Sequence, residues 1–210
     1  MKAILNFPAQ DRQTGQYILN SLKKYCDVIH FDNRWNYTGM IHTIKEFQPD
    51  FILCNREPKL LNEIIYIKNT FPQIKIAVWN LDKRDSIFQF PKELLTMFSY
   101  CNFLYVTALG QIPEYQSILP NTKVRHLQEA IDPDIYHKEV LTKEDHDRFD
   151  CDVLFLGDIY NPLFHGRKEL FDFLLAQKDL NIKINGSKQD RQWIGRDFNV
   201  ACQCAKINIG

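Results

Sequence analysis

The sequence predicts an α/β protein of two doubly wound, parallel-sheet domains, the second incomplete, and three observations carry that expectation. Short, near-continuous apolar runs, of which residues 151–156 are the clearest, read as strands buried on both faces. Between such runs, apolar residues recur at helical spacing, as Leu170, Phe171, Leu174 and Leu175 do. Polar and charged residues gather where strands end, in Asn55-Arg56-Glu57-Pro58 and again in Asn80-Leu81-Asp82-Lys83-Arg84-Asp85. Strands and helices alternating at this pace imply parallel pairing through right-handed crossovers.

Taken in order, residues 3–7 form a first strand. Residues 16–25 form a helix, begun by Thr14 or Gly15, with Tyr17, Ile18, Leu22 and Tyr25 roughly on one face. A strand at 27–31, a short helix at 41–47 and a strand at 51–54 follow. A helix at 60–69 is broken by Pro72 and leads to a strand at 75–79. Pro91 opens a helix to 98, before a strand at 103–106, a short helix at 112–118 and a strand at 123–127. From 131 to 150 the alternation lapses into Asp132-Pro133-Asp134 and a polar, charged run. This stretch reads as a connection, giving domains at 1–131 and 151–210 with a linker at 132–150.

Alternation then resumes with the strand that Gly157 ends and the helix that Arg167 opens. A strand at 182–185, Gly186-Ser187, a helix from about 189 to 205 and a strand at 206–209 complete it. Three strands make a small sheet, and a last strand of core character leaves apolar surface to be covered. Either a partner, such as a second copy, covers it or a further C-terminal segment does; the sequence reading favours the segment.

Twenty-six basic residues balance twenty-six acidic ones among 210, and 45% are hydrophobic, an ordinary globular composition. Neither sign forms a long block, so no nucleic-acid footprint or polybasic membrane patch is expected. No apolar run is long enough for a signal peptide or a membrane span, and a cytoplasmic location is expected. The six cysteines are scattered and read as reduced, buried hydrophobes. Only Cys202-Gln203-Cys204 is closely spaced, and a zinc site would want two such pairs, or a pair with histidines. The strings Asp132 to Asp134 and Asp145 to Asp147 read as turn and cap residues, and no metal is expected. No nucleophile elbow, phosphate loop or dinucleotide fingerprint occurs, which argues against a hydrolase, an NTPase or a dehydrogenase.

In open α/β sheets ligands sit beyond the carboxyl ends of the strands, so the loop from Gly157 to Arg167 is a candidate binding site. There Arg167 would offer a phosphate its guanidinium fork, and the helix would add free N–H groups. Arg167 also reads as an ordinary solvated first-turn residue.

Several segments together resemble a known family. They are Asp27-Val28-Ile29-His30-Phe31-Asp32, Trp79-Asn80-Leu81-Asp82 and Gln128-Glu129-Ala130-Ile131-Asp132-Pro133-Asp134-Ile135-Tyr136. Val153, Phe155, Gly157 and Arg167, then Gly186 and Trp193, then Ala205-Lys206-Ile207-Asn208-Ile209 continue the series. This order resembles glycosyltransferases of the GT-B architecture, in the spore-maturation (CgeB-type), family 1-like branch. Ala130 stands where that family usually has glycine, and the family's ribose-binding acidic residue lies beyond the last strand seen here.

The resemblance implies two Rossmann-like domains with a nucleotide-sugar in the cleft between them and no metal in the transfer. It places Gly157, Asp158, His165, Arg167 and Gly186 on the donor side. Asn6, Arg56, Glu57 and Glu129 face the acceptor, which is a glycan, a protein or a small molecule. Arg167 with the helix N-terminus would stabilise the leaving diphosphate, and Asp82 is the expected base, with His126 and His165 as alternatives. The competing expectation is a nucleotide-sugar-binding module without turnover.

Overall fold

The computed structural model describes residues 1–9, 14–31, 37–81, 86–129, 132–134, 136–157, 166–186 and 193–209. They divide into two compact units, Met1–Ala130 and Ile131–Gly210. Both are α/β with all-parallel sheets, the Rossmann-like organisation that the alternation predicts.

The first unit is a six-stranded sheet formed by β1 (Lys2–Asn6), β2 (Asp27–His30), β3 (Phe51–Asn55), β4 (Lys75–Asn80), β5 (Phe103–Val106) and β6 (Lys123–His126). Its order is β2-β1-β3-β4-β5-β6. The chain first steps outward from β1 to β2, then returns past β1 and adds every later strand on the other side. Right-handed crossovers therefore place the first helix, α1 (Thr14–Lys23), on one face and the later helices on the opposite face. The two cores follow this division. Leu19 of α1 packs with Leu5, Phe7 and Trp79. On the other face, α2 (Tyr37–Phe47), α3 (Leu61–Thr70), α4 (Lys92–Tyr100) and α5 (Ile112–Ile118) bring Ile44, Ile64, Phe98 and Tyr115 against Ile4, Ile52, Val78 and Leu104.

Gly15 is what lets α1 approach β1. A Cβ there would lie 2.2 Å from the Pro8 carbonyl oxygen, so no side chain fits between the helix start and the chain leaving the strand. The α2 helix begins four residues before the 41–47 expected from sequence, because Tyr37-Thr38-Gly39 carries no apolar period to announce it.

The second unit has the sheet order β8-β7-β9, from β7 (Cys151–Leu156), β8 (Ile182–Asn185) and β9 (Ala205–Ile209). This repeats the outward-then-back step of β1, β2 and β3. One face of β7 is covered by α6 (Lys143–Phe149) and α8 (Arg196–Cys204), which supply Phe149, Val200 and Ala201 around Leu154. On the other face Phe171 of α7 (Arg167–Leu175) packs on Phe155, ring centroids 4.6 Å apart. Of the four apolar residues that recur at helical spacing here, Phe171 is the buried one, while Leu170 is 41% and Leu175 57% exposed.

The run read as a linker carries more order than a connection needs. Thr142 caps α6 in a reciprocal box with Asp145, and Phe149 is fully buried. Ahead of it, the segment at residues 137–139 is laced to α8: Asn199 Nδ2 donates to the His137 carbonyl at 2.7 Å and Gln203 Oε1 accepts from Glu139 N at 3.0 Å. The helix at 189–205 expected from sequence is seen over Arg196–Cys204; residues 189–192 lie outside the described residues.

Candidate functional site

Parallel strands put all their carboxyl ends on one rim, and a crevice opens where successive connections leave on opposite faces. In the first unit that point lies between β1 and β3, and in the second between β7 and β9.

At the first rim β1 ends in Asn6, opposite Cys54 of β3. Asn6 is fully buried, and neither its amide nitrogen nor its amide oxygen has a hydrogen-bond partner. Asn80, at the end of β4, is nearly as buried; its Nδ2 donates to the Tyr115 hydroxyl at 3.0 Å while its Oδ1 has no partner. Buried polar atoms are normally paired, so three orphans on the rim of one sheet point to a place kept for function rather than stability. Arg56 follows β3, its backbone N–H held by Asn55 Oδ1 at 2.8 Å and its guanidinium 5.8 Å from the Phe90 ring centroid. Glu57 precedes a 3₁₀ turn at Pro58–Leu60 without capping it.

The fold thus gathers Asn6, Arg56 and Glu57 at the β1/β3 crevice. Glu129 does not join them: it is exposed, after β6, on the far side of the sheet. Asn80 is the residue the sequence expectation missed. Its signal was a polar amide ending the buried run of β4, residues 75–80.

The rest of this rim is tied shut. Thr107 Oγ1 donates to the Leu81 carbonyl at 2.9 Å, His126 Nε2 to the Thr107 carbonyl at 3.2 Å, and Trp79 Nε1 to the Leu127 carbonyl at 3.1 Å. His126 is therefore a latch between the ends of β5 and β6. His30 Nε2 likewise donates to the Phe7 carbonyl at 2.7 Å, joining the ends of β2 and β1. Asp82, the expected base, lies outside the described residues with Lys83 and Arg84.

At the second rim β7 runs into Gly157 and β8 into Gly186, and Gly157 N donates to the Asn185 carbonyl at 3.1 Å. The two glycines are thereby brought together. A Cβ on Gly157 would meet the Phe155 ring at 3.0 Å. The Arg167 guanidinium lies over that same ring, 5.3 Å from its centroid. Arg167 is the first residue of α7, after Gly166, whose φ of 83° is a left-handed conformation suited to glycine. Gly166, at the N-cap position, has no side chain to cap this helix start, and Glu169 adds a negative charge to the same turn. Asn185 Oδ1 accepts from Trp193 N at 2.7 Å, tying the end of β8 to the residues just before α8. Asp158 and His165 lie outside the described residues.

Elsewhere, charges serve the frame. The Asp145 carboxylate accepts from Arg196 and Thr142, which together hold it well below the ordinary carboxylate range. Lys206 bonds Asp152 at 2.7 Å and lowers its pKa in turn. Asp132 Oδ1 accepts from Asp134 N at 3.1 Å, so both Asp-x-Asp strings supply the turn and cap residues expected of them. Burial pushes the Cys54 thiol up to about 12, and Cys101 well above its ordinary value.

No protein-family model matches the chain, and no curated protein sequence matches it. The functional reading accordingly rests on the two rims.

Proposed function

We propose that the chain is a glycosyltransferase that takes a sugar from a nucleotide-sugar bound at the rim of its second unit. The observation that carries this is Gly157 at the β7/β9 switch point, followed by the N-terminus of α7 with Arg167 packed on Phe155 beside it. Backbone can approach a diphosphate closely at the glycine, while N–H groups and a guanidinium fork supply positive charge where the leaving group gains its negative charge. The Phe155 ring holds the guanidinium in place, so less orientation is lost on binding.

The first rim suits a neutral, hydroxyl-rich acceptor. Asn6 offers an amide donor and an acceptor and Asn80 an acceptor, all without net charge, and Arg56 and Glu57 flank them with one charge of each sign. Proton removal from the acceptor falls to Asp82 in this reading.

The second reading is a nucleotide-sugar-binding module without transfer. Thermal stability measured against UDP-, GDP-, TDP- and CMP-sugars, with Arg167→Ala alongside, tests the donor site. Stabilisation by one nucleotide family that Arg167→Ala abolishes supports it. A folded chain that none of them stabilises would sink both readings. Sugar transfer or donor hydrolysis by the stabilised chain then separates enzyme from module.

A further inference from the structure

We propose that His146, Asp150 and Cys204 form a zinc-type divalent-metal site at the amino end of the second unit's sheet. An imidazole nitrogen, a carboxylate oxygen and Sγ from these three residues all lie within 4.8 Å of one another. His146 and Asp150 are four residues apart at the carboxyl end of α6, on one helix face, and Nδ1 donates to Oδ1 at 2.8 Å. Cys204 arrives independently, as the last residue of α8. Its thiol faces α6, with Sγ 3.8 Å from the Asp145 carbonyl oxygen.

The chemistry suits zinc. Imidazole, carboxylate and thiolate are its protein ligands, and one thiolate with one carboxylate neutralises a divalent charge. Ligand atoms around a tetrahedral zinc lie roughly 3.5 Å apart, so the Cys204 thiol must close in by about an ångström while the imidazole and carboxylate, 2.8 Å apart, open slightly. Cys151 and Lys206 line the same hollow of about 310 Å³, and water can take the fourth position because the His146 and Asp150 side chains are 48% and 56% exposed. Two helices end here, and their carboxyl ends favour a cation.

The nearby ammonium groups are held by other acceptors, Lys206 by Asp152 at 2.7 Å and Lys183 by the Arg148 carbonyl at 2.5 Å. Binding replaces the hydrogen bond between His146 and Asp150. The imidazole stays neutral with its proton on the other nitrogen, and the Cys204 thiol proton goes to solvent, one proton per ion. Affinity should therefore rise with pH.

The site is at the opposite end of β7 from Gly157, about 23 Å away along the seven steps from Asp150. Its role is to pin α6 to α8, and it stands apart from the donor proposal. In sequence the pair Cys202-Gln203-Cys204 lacked the histidine that a zinc site needs; α6 supplies it from 58 residues upstream.

The test uses the full chain, freed of metal by a chelator and titrated with cobalt(II), then zinc(II). Expected are one equivalent of cobalt with a thiolate-to-cobalt charge-transfer absorption, its displacement by zinc, and a melting temperature raised by a few °C. Cys204→Ser should lose the absorption and Cys202→Ser keep it. Should Cys204→Ser fail to fold, His146→Ala truncates an exposed side chain and should weaken cobalt binding by roughly tenfold or more. A folded chain without the absorption, one whose absorption survives Cys204→Ser, or unchanged cobalt affinity in His146→Ala would overturn the site.

Discussion

Arg196 grips Asp145 with both prongs of its guanidinium, Nη1 to Oδ1 and Nη2 to Oδ2, each at 3.0 Å. Its third nitrogen, Nε, reaches Glu139 Oε2 at 2.8 Å. One side chain at the start of α8 therefore fastens α6 and the segment leading into it, while Phe149 at the far end of α6 meets Trp193 edge to face, with centroids 4.9 Å apart.

This pairing makes the second unit acid-sensitive. Asp145 titrates below its ordinary value in the folded chain, so its contribution is fully present above the unfolded carboxylate value of about 3.9 and is lost as pH falls further. The melting temperature of this unit should hold down to about pH 4 and then drop. Arg196→Gln should lower the neutral-pH value by roughly 5 °C and flatten the acid limb. Calorimetry from pH 7 downward on both proteins checks this, and identical acid limbs would count against it.

The α7 helix is held by one residue. Phe171→Ala should cost about 3–5 kcal/mol, because the ring is buried against Phe155, whereas Phe173→Ala, 64% exposed two residues on, should stay within about 0.5 kcal/mol. Urea unfolding of the two variants measures the contrast.

Gly157→Ala probes the donor rim without touching a charge. The added methyl must displace the Phe155 ring that carries Arg167. Nucleotide-sugar affinity should fall by roughly tenfold, about 1.4 kcal/mol. Unchanged affinity by calorimetric titration would separate Arg167 from the ligand.

Asn6 should reveal a trade between stability and function. Its two orphan amide atoms are buried at a cost, so Asn6→Leu, of similar volume, should raise stability by about 1 kcal/mol and reduce transfer. Destabilisation in urea would mean that the amide is satisfied within the fold.

Gly15→Ala should be among the most damaging single-methyl changes in the first unit, costing at least about 1–3 kcal/mol through the clash with Pro8. Gly110→Ala is the matched control, since a Cβ there meets nothing within 4 Å and should change stability by about 0.5 kcal/mol or less. Thermal unfolding of both variants decides the comparison.

The alternation of strands and helices was legible because buried parallel strands are apolar on both faces, and runs such as 75–80 show it directly. The α6 helix was not, because its charged residues other than Asp145 face water and only Phe149 marks an apolar side. Its Thr142 and Asp145 box was a cue hidden within a charged run. For α7 the spacing was legible and the burial was not, since periodicity shows that apolar residues share a face but not that anything covers it. The rims were legible as strand ends. Which ends adjoin is fixed by strand order: Asn6 lies beside Arg56 because β1 pairs with β3, and Glu129 lies apart because β6 is an edge strand. No local pattern announces an unpaired amide such as that of Asn6.

The buried thiols give the chain a built-in reporter of its own opening. Cys54 and Cys101 sit in the core of the first unit and Cys151 at the start of β7, each with its pKa raised by burial, so none is reactive while its surroundings stay closed. Alkylation of these sulfurs can proceed only through fluctuations that admit reagent and water together. Their labelling rates would time how often each unit breathes, and a ligand that quietens one unit alone would slow its own cysteines and leave the others at their former pace.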